Sequence, residues 1–214
     1  MVATDVDAGT TLSDWQIDGG SGTTVFAMDG ATGALRIVDG AALDFETATS
    51  FTLNVSVYDG YRRSVAQAVA INVRNLNDNK PIVTAAQSFA VDGGTRNFLG
   101  KVVATDADDT NEPRFTTFLG WEIAAGTGAS LFAIDPRTGV IRASRPLAID
   151  FRKSNYTLAL TTSDGANTSA QQSVAISIPD RVKICLYGLD VTAAKQKVPL
   201  LLLVGGTLGT CKAP

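Results

Sequence analysis

An all-β chain folded as two tandem sandwiches is predicted by three observations: an internal duplication, apolar residues alternating with a period of two, and turn signals at short, regular intervals. The duplication is the strongest. VATDVD at 2–7 returns as VATDAD at 103–108, a displacement of 101 residues. WQI at 15–17 returns as WEI at 121–123, FAMDGATGALRI at 26–37 as FAIDPRTGVIRA at 132–143, and LDF at 43–45 as IDF at 149–151, each displaced by 106. The landmarks keep their order, so a chain of 214 residues divides into two units of about 100 rather than one large domain.

Each element has a local reason. In FTLNVSVYDG, Phe51, Leu53, Val55 and Val57 point to one face and Thr52, Asn54 and Ser56 to the other, the pattern of a half-buried strand. YTLALTTSDG repeats it with Tyr156, Leu158 and Leu160. IDPRTGVI reads as a tight hairpin in which Pro136 presets φ and Gly139 takes a positive φ, and Asp29 to Gly33 plays the same part in the first copy. Trp15 and Trp121 sit two residues before Ile17 and Ile123, which places both indoles on the inward face of a strand. About seven strands are expected in a complete unit. The second copy carries residues 81–102 ahead of its ATD motif, whereas the first has only Met1, so the first unit is expected to be N-terminally truncated and to lack its opening strand.

The expected domains are 1–79, 80–180 and a C-terminal extension over 181–214, a short cap on the end of the second unit. In that extension TAAKQKVPLLLLVG suits either a short helix or a β hairpin, since Pro199 stops a long helix and Gly205 terminates one. Cys185 and Cys211 are the only cysteines; they fit a disulfide in an oxidising compartment or two buried thiols.

Composition excludes several function classes. A net charge of −3 with scattered Lys and Arg gives no nucleic-acid footprint. Without any histidine there is no Ser-His-Asp triad, no histidine general base and no histidine-containing zinc site. The longest apolar run, VPLLLLVGG at 198–206, is far below the roughly 18 residues that span a bilayer.

The chemistry gathers at LNDNKP, residues 76–81, where the first unit ends. Asp44 and Glu46 in LDFE lie upstream, and Asp106 and Asp108 in ATDAD and Asp164 in SDG lie downstream. Six carboxylates (these five and Asp78) brought together repel, each close pair at about 4 Å costing on the order of 4 kcal/mol at an effective dielectric of 20. Bound divalent ions relieve that cost. The donors are all oxygens, as a hard cation with six to eight ligands requires.

ATDAD, LDFE, the DG after a strand and NLNDNKP together resemble the calcium motifs of cadherin repeats, in the same order and at similar spacing, over residues 2–180. The resemblance implies Ig-like, cadherin-like Greek-key sandwiches with Ca2+ held at the linker, and a bacterial surface protein is one parent compatible with it. It assigns Asp44 and Glu46 from the first repeat, Asn77 and Asp78 from the linker with the main-chain carbonyls of Leu76 and Asn79, and Asp106, Asp108 and Asp164 from the second repeat. Asn75 stands where the family has an aspartate, which weakens the ions nearest the first repeat. The ion held by Asn77, Asn79, Asp106, Asp108 and Asp164 keeps its full set and is expected to bind best. Arg152 replaces the acid equivalent to Glu46 and SIPDRVK replaces the next linker, so no site is expected at the base of the second repeat. Asp5, Asp7 and Asp59 form half a site at the other end.

The implied function is a calcium-dependent spacer or adhesion module of a larger extracellular or cell-surface protein. Its partners would be neighbouring repeats of the same polypeptide and a protein or glycan on a cell surface. No catalytic role is expected. A carbohydrate-binding module, or an accessory domain of a secreted enzyme, is the alternative, favoured if the tryptophans are exposed. Asn54, Asn155 and Asn167 lie in N-x-S/T sequons, which carry glycans only in a host that glycosylates secreted proteins.

Overall fold

The computed structural model describes residues 1–7, 9–109 and 117–212. They form two compact units, Met1–Leu76 and Asn77–Pro214. The division falls just before the NDN of the linker, so Asn77, Asp78 and Asn79 go with the second unit.

The first unit contains β1 (Ser13–Gly19), β2 (Phe26–Met28), β3 (Leu35–Ile37), a 3-10 turn (Gly40–Ala42), β4 (Ser50–Tyr58) and β5 (Gln67–Asn72). β4 is the FTLNVSVY run; Phe51, Leu53, Val55 and Val57 are buried as the alternation requires, but Ser56, expected on the outer face, is buried as well. It pairs antiparallel with β1 and β5 to make a three-stranded sheet; β2 and β3 form a separate hairpin. Val25, Phe26, Phe51, Leu53 and Val55 are the buried centre, with Phe26 and Phe51 edge to face at 5.7 Å.

The second unit opens with β6 (Ile82–Val83), β7 (Ser88–Ala90), β8 (Phe98–Lys101) and β9 (Ala104–Thr105), followed by a 3-10 turn (Ala107–Asp109). It continues with β10 (Leu119–Ala125), β11 (Phe132–Ile134), β12 (Val140–Ala143), a 3-10 turn (Pro146–Ala148), β13 (Asn155–Ser163) and β14 (Gln172–Ser177). One sheet has the order β10-β13-β14-β7, with β7 parallel to β14, and the other β11-β12-β8. β6 and β9 pair antiparallel beside them.

The duplication extends to backbone irregularities. β1 on β4 matches Gln16 to Ser56 and Ile17 to Val55, with register shifts on both sides of that pair. β10 on β13 matches Glu122 to Thr161 and Ile123 to Leu160, with shifts at the same two places. Both hairpin turns use one device. Asp29 Oδ1 accepts from the Ala31 and Thr32 amides, and Asp135 Oδ1 from those of Arg137 and Thr138. Gly33 and Gly139 close the turns at φ +67 and +69, each with a tryptophan ring where a β-carbon would stand.

The copies differ where the sequence differs. Among the described residues the first unit has no counterpart of β7 or β8, so the outer edges of β5 and β3 lack the partners that β14 and β12 have. The core is thinner in consequence. Trp121 is only 5% exposed, as expected, with Phe118 edge to face at 6.4 Å, whereas Trp15 is only half-buried.

Of its two alternatives TAAKQKVPLLLLVG takes the helical one, the short helix α1 (Val198–Leu203); a hairpin of β15 (Arg181–Leu186) and β16 (Leu189–Ala194) precedes it and β17 (Thr207–Leu208) follows. The sheet order is β16-β15-β17, and a disulfide joins Cys185 on β15 to Cys211. Val182, Ile184, Val198, Leu202 and Leu208 share one hydrophobic core with Ile141, Leu158 and Ile176, so this segment is built into the second unit. No helix among the described residues is long and apolar enough to cross a membrane.

Candidate metal centre

Three pieces of chain far apart in sequence meet at one end of the second unit. The antiparallel pairing of Ile82 with Thr105 and Val83 with Ala104 sets the linker beside the ATDAD motif. Just past β9 the chain turns into the 3-10 segment that carries Asp108, while Asp106 accepts the Asp108 amide on Oδ1 at 3.1 Å. At the end of β13 the SDG turn, with Gly165 at φ +97, presents Asp164. Asp164 Oδ1 accepts from the Ala166 and Asn167 amides at 2.7 and 2.6 Å, which fixes the carboxylate.

Carboxylate oxygens of Asp106, Asp108 and Asp164 lie within 4.8 Å of one another. Asp108 is fully buried and Asp164 nearly so. Asp106 Oδ2 is buried and accepts no hydrogen bond from the described residues. Such an oxygen, taken from water and given nothing in return, is costly unless a cation occupies the space before it. Burial, opposed by the Asp108 amide and reinforced by the charges of Asp108 and Asp164, raises the Asp106 pKa above the usual carboxylate value.

The linker adds a fourth oxygen. The Asn77 amide turns its oxygen toward Asp164 Oδ2 and Asp108 Oδ2, 3.1 Å from each; rotated by half a turn it would donate its nitrogen to both. Nitrogen-in suits a site without metal, and oxygen-in suits a cation. Asn79 is held by its own amide on Asp108 Oδ2 (3.0 Å) and by its side chain on Asp108 Oδ1 (2.6 Å). Buried carboxylates beside a side-chain amide make a donor set that fits calcium and lacks the imidazole and sulfur ligands of zinc or copper sites.

The other expected ligands are distributed as follows. Asp78 is exposed and accepts from the Asn79 side chain at 3.2 Å. Asp44, Glu46, Asn75 and Leu76 belong to the first unit: Asp44 and Leu76 are exposed, Glu46 is half-buried and Asn75 is buried. Thr47, bonded to Asp44 Oδ2 at 2.6 Å, holds that carboxyl below the usual range. At the matching place in the second unit the Arg152 guanidinium donates to both oxygens of Asp150, at 2.9 and 3.1 Å, and lowers its pKa. A cation is thus already covalently present there. In the first unit Asp59 Oδ1 is taken by the Tyr61 and Arg62 amides, and among the described residues no group of three acids gathers around Asp5, Asp7 and Asp59.

One participant was missed by sequence reasoning. Asn167 reaches across with Nδ2 to the carbonyl of Asn79 at 2.8 Å and, more weakly, to that of Asn77 at 3.5 Å. Its place three residues after Asp164 was the only available signal, and the sequon that contains it offered a competing explanation.

An all-β repeat unit with an oxygen-lined acidic site at one end defines the class of protein, and comparison with known proteins narrows it. No protein-family model matches the chain. It is 28% identical to mouse Cadherin-related family member 2 over 165 residues, 74% of this chain and 12% of that protein. It is 30% identical to the fruit-fly Protocadherin-like wing polarity protein stan over 182 residues, 83% of this chain and 5% of that protein. Among solved structures, human Protocadherin-24 EC1-2 matches with a TM-score of 0.61 at 22% identity, covering 84% of this chain and 86% of that one. The human Desmocollin-1 ectodomain matches at 0.57 and 22% identity, covering 87% and 37%. The chain is built of cadherin-like repeats and spans a small fraction of these curated relatives. The relatives named are animal proteins, and nothing in them supports a bacterial parent.

Proposed function

We propose that this chain is a calcium-binding spacer or adhesion module, part of a larger cell-surface protein, in which bound ions stiffen the linker. Its location is extracellular. The observation that carries the reading is the convergence of Asp106, Asp108, Asp164 and the Asn77 side-chain amide, with Asp106 Oδ2 buried and accepting no hydrogen bond from the described residues. When bound, calcium would supply charge neutralisation and would be structural rather than catalytic. Asp106, Asp108, Asp164, Asn77 and the carbonyl of Asn79 would hold the tightest ion. From motif spacing alone, the proposal extends to Asp44, Glu46, Asn75, Leu76 and Asp78 as ligands of further ions. The partners would be neighbouring repeats of the same polypeptide and a protein or glycan on a facing cell surface.

The carbohydrate-binding alternative needs an exposed indole platform. Trp121 is buried against its own hairpin turn, and Trp15 is half-buried, so no observation favours that reading. Two measurements test the proposal. Titration calorimetry with calcium should show binding that Asp108→Ala abolishes at the tightest site. Small-angle scattering with calcium and with chelator should show a narrower distribution of lengths when the ion is present. Absence of binding heat at millimolar calcium, or scattering curves that superimpose, sinks it.

A further inference from the structure

The three sequons differ in what their side-chain amides do. Asn54 lies on the outward face of β4 and Asn155 begins β13; both are exposed, and neither side-chain amide makes a hydrogen bond among the described residues. Asn167 is half-buried, and its Nδ2 is directed at two linker carbonyls, Asn79 at 2.8 Å and Asn77 at 3.5 Å. The Asn167 amide nitrogen thus faces the linker, with its short hydrogen bond on the Asn79 carbonyl.

We infer that Asn167 is a latch holding residues 77–79 onto the second unit, and that it stays free of glycan while Asn54 and Asn155 carry it. N-glycosylation joins Nδ2 to C1 of an oligosaccharide delivered as its lipid diphosphate. The C1–O bond to the diphosphate breaks, the lipid diphosphate leaves with that electron pair, and Nδ2 loses one proton to a base of the host transferase. One amide hydrogen is replaced by a sugar ring. At Asn54 and Asn155 the ring projects into solvent at no structural cost. At Asn167 it would stand where the linker carbonyls are, so latch and glycan exclude each other. The inference rests on the extracellular location argued above and not on calcium.

The test uses the 214-residue chain secreted from cultured animal cells. Enzymatic deglycosylation in heavy-oxygen water followed by peptide mass spectrometry should find labelled aspartate at positions 54 and 155 and unmodified Asn167. Hydrogen exchange provides the second arm. Asn167→Ala should speed exchange of the Asn79 amide by roughly fivefold to tenfold, the loss of about one hydrogen bond, whereas Asn54→Ala and Asn155→Ala leave it unchanged. If Asn167→Ala fails to fold, Asn167→Asp, which keeps the shape and removes both hydrogens, takes its place. Glycan on Asn167 of the folded product, or linker exchange indifferent to both substitutions, overturns the latch. Bare asparagine at 54 or 155 overturns the modification half. A chain that passes both arms yet binds no calcium refutes the proposed function and leaves the latch standing.

Discussion

Asp106 carries the most direct consequence at the scale of single residues. Its raised pKa means that the native chain holds the proton more tightly than the unfolded chain, so ionising it costs native stability. In calcium-free protein that cost is absent below the usual carboxylate pKa of about 4 and fully present above the raised one. Asp106→Asn should therefore melt above wild type in chelator at neutral pH, by about 2–4 °C for each kcal/mol of repulsion relieved, and the advantage should vanish as the solution is acidified. The sign reverses with calcium: the same substitution should weaken binding by roughly tenfold or more, the loss of a charged oxygen ligand. Calorimetry and melting curves on one pair of proteins read both effects. These acids were legible because each lies in a short motif whose order repeats along the chain. Asn167 was not, because side-chain-to-carbonyl contacts across about ninety residues leave no periodic trace.

Among the elements, the C-terminal hairpin and helix make a mechanical prediction. The disulfide closes a separation of 26 residues between β15 and the coil after β17, and chain-entropy arithmetic gives it about 3.5 kcal/mol. Cys185→Ser with Cys211→Ser should lower the stability of the second unit by that order, as measured by denaturant unfolding. Because Val182, Ile184, Val198 and Leu202 are part of the main core, the loss should appear within one cooperative transition of that unit. A separate early transition of the tail would contradict the shared core. β4 and β13 were readable in advance, since period-two alternation survives in sequences packed on one face. The tail was not, because VPLLLLVG is apolar without a period, and its conformation is decided by where the second unit offers cover.

The molecule as a whole contains two sandwiches of unequal quality. The first has five residues at its buried centre and lacks counterparts of β7 and β8 among the described residues; the second buries a far larger set. Chemical denaturation should therefore show the first unit unfolding at lower denaturant. Its Trp15 should be quenched by acrylamide more readily than Trp121, whose ring is enclosed; equal quenching of the two, resolved with Trp→Phe variants, would contradict the burial described here. The duplication itself was visible in the sequence, but the matched register shifts of β1 and β10 were not, since a bulge depends on pairing rather than composition.

For anyone handling the purified material, the bare rim of β5 sets the practical limit. A row of backbone donors and acceptors with no neighbour among the described residues invites another molecule to dock alongside and begin a stack. Shelf life should depend on concentration more than on temperature, with turbidity appearing first in the most concentrated vials. A lysine at Ala70, which is exposed in β5, should delay that clouding without altering the melting point.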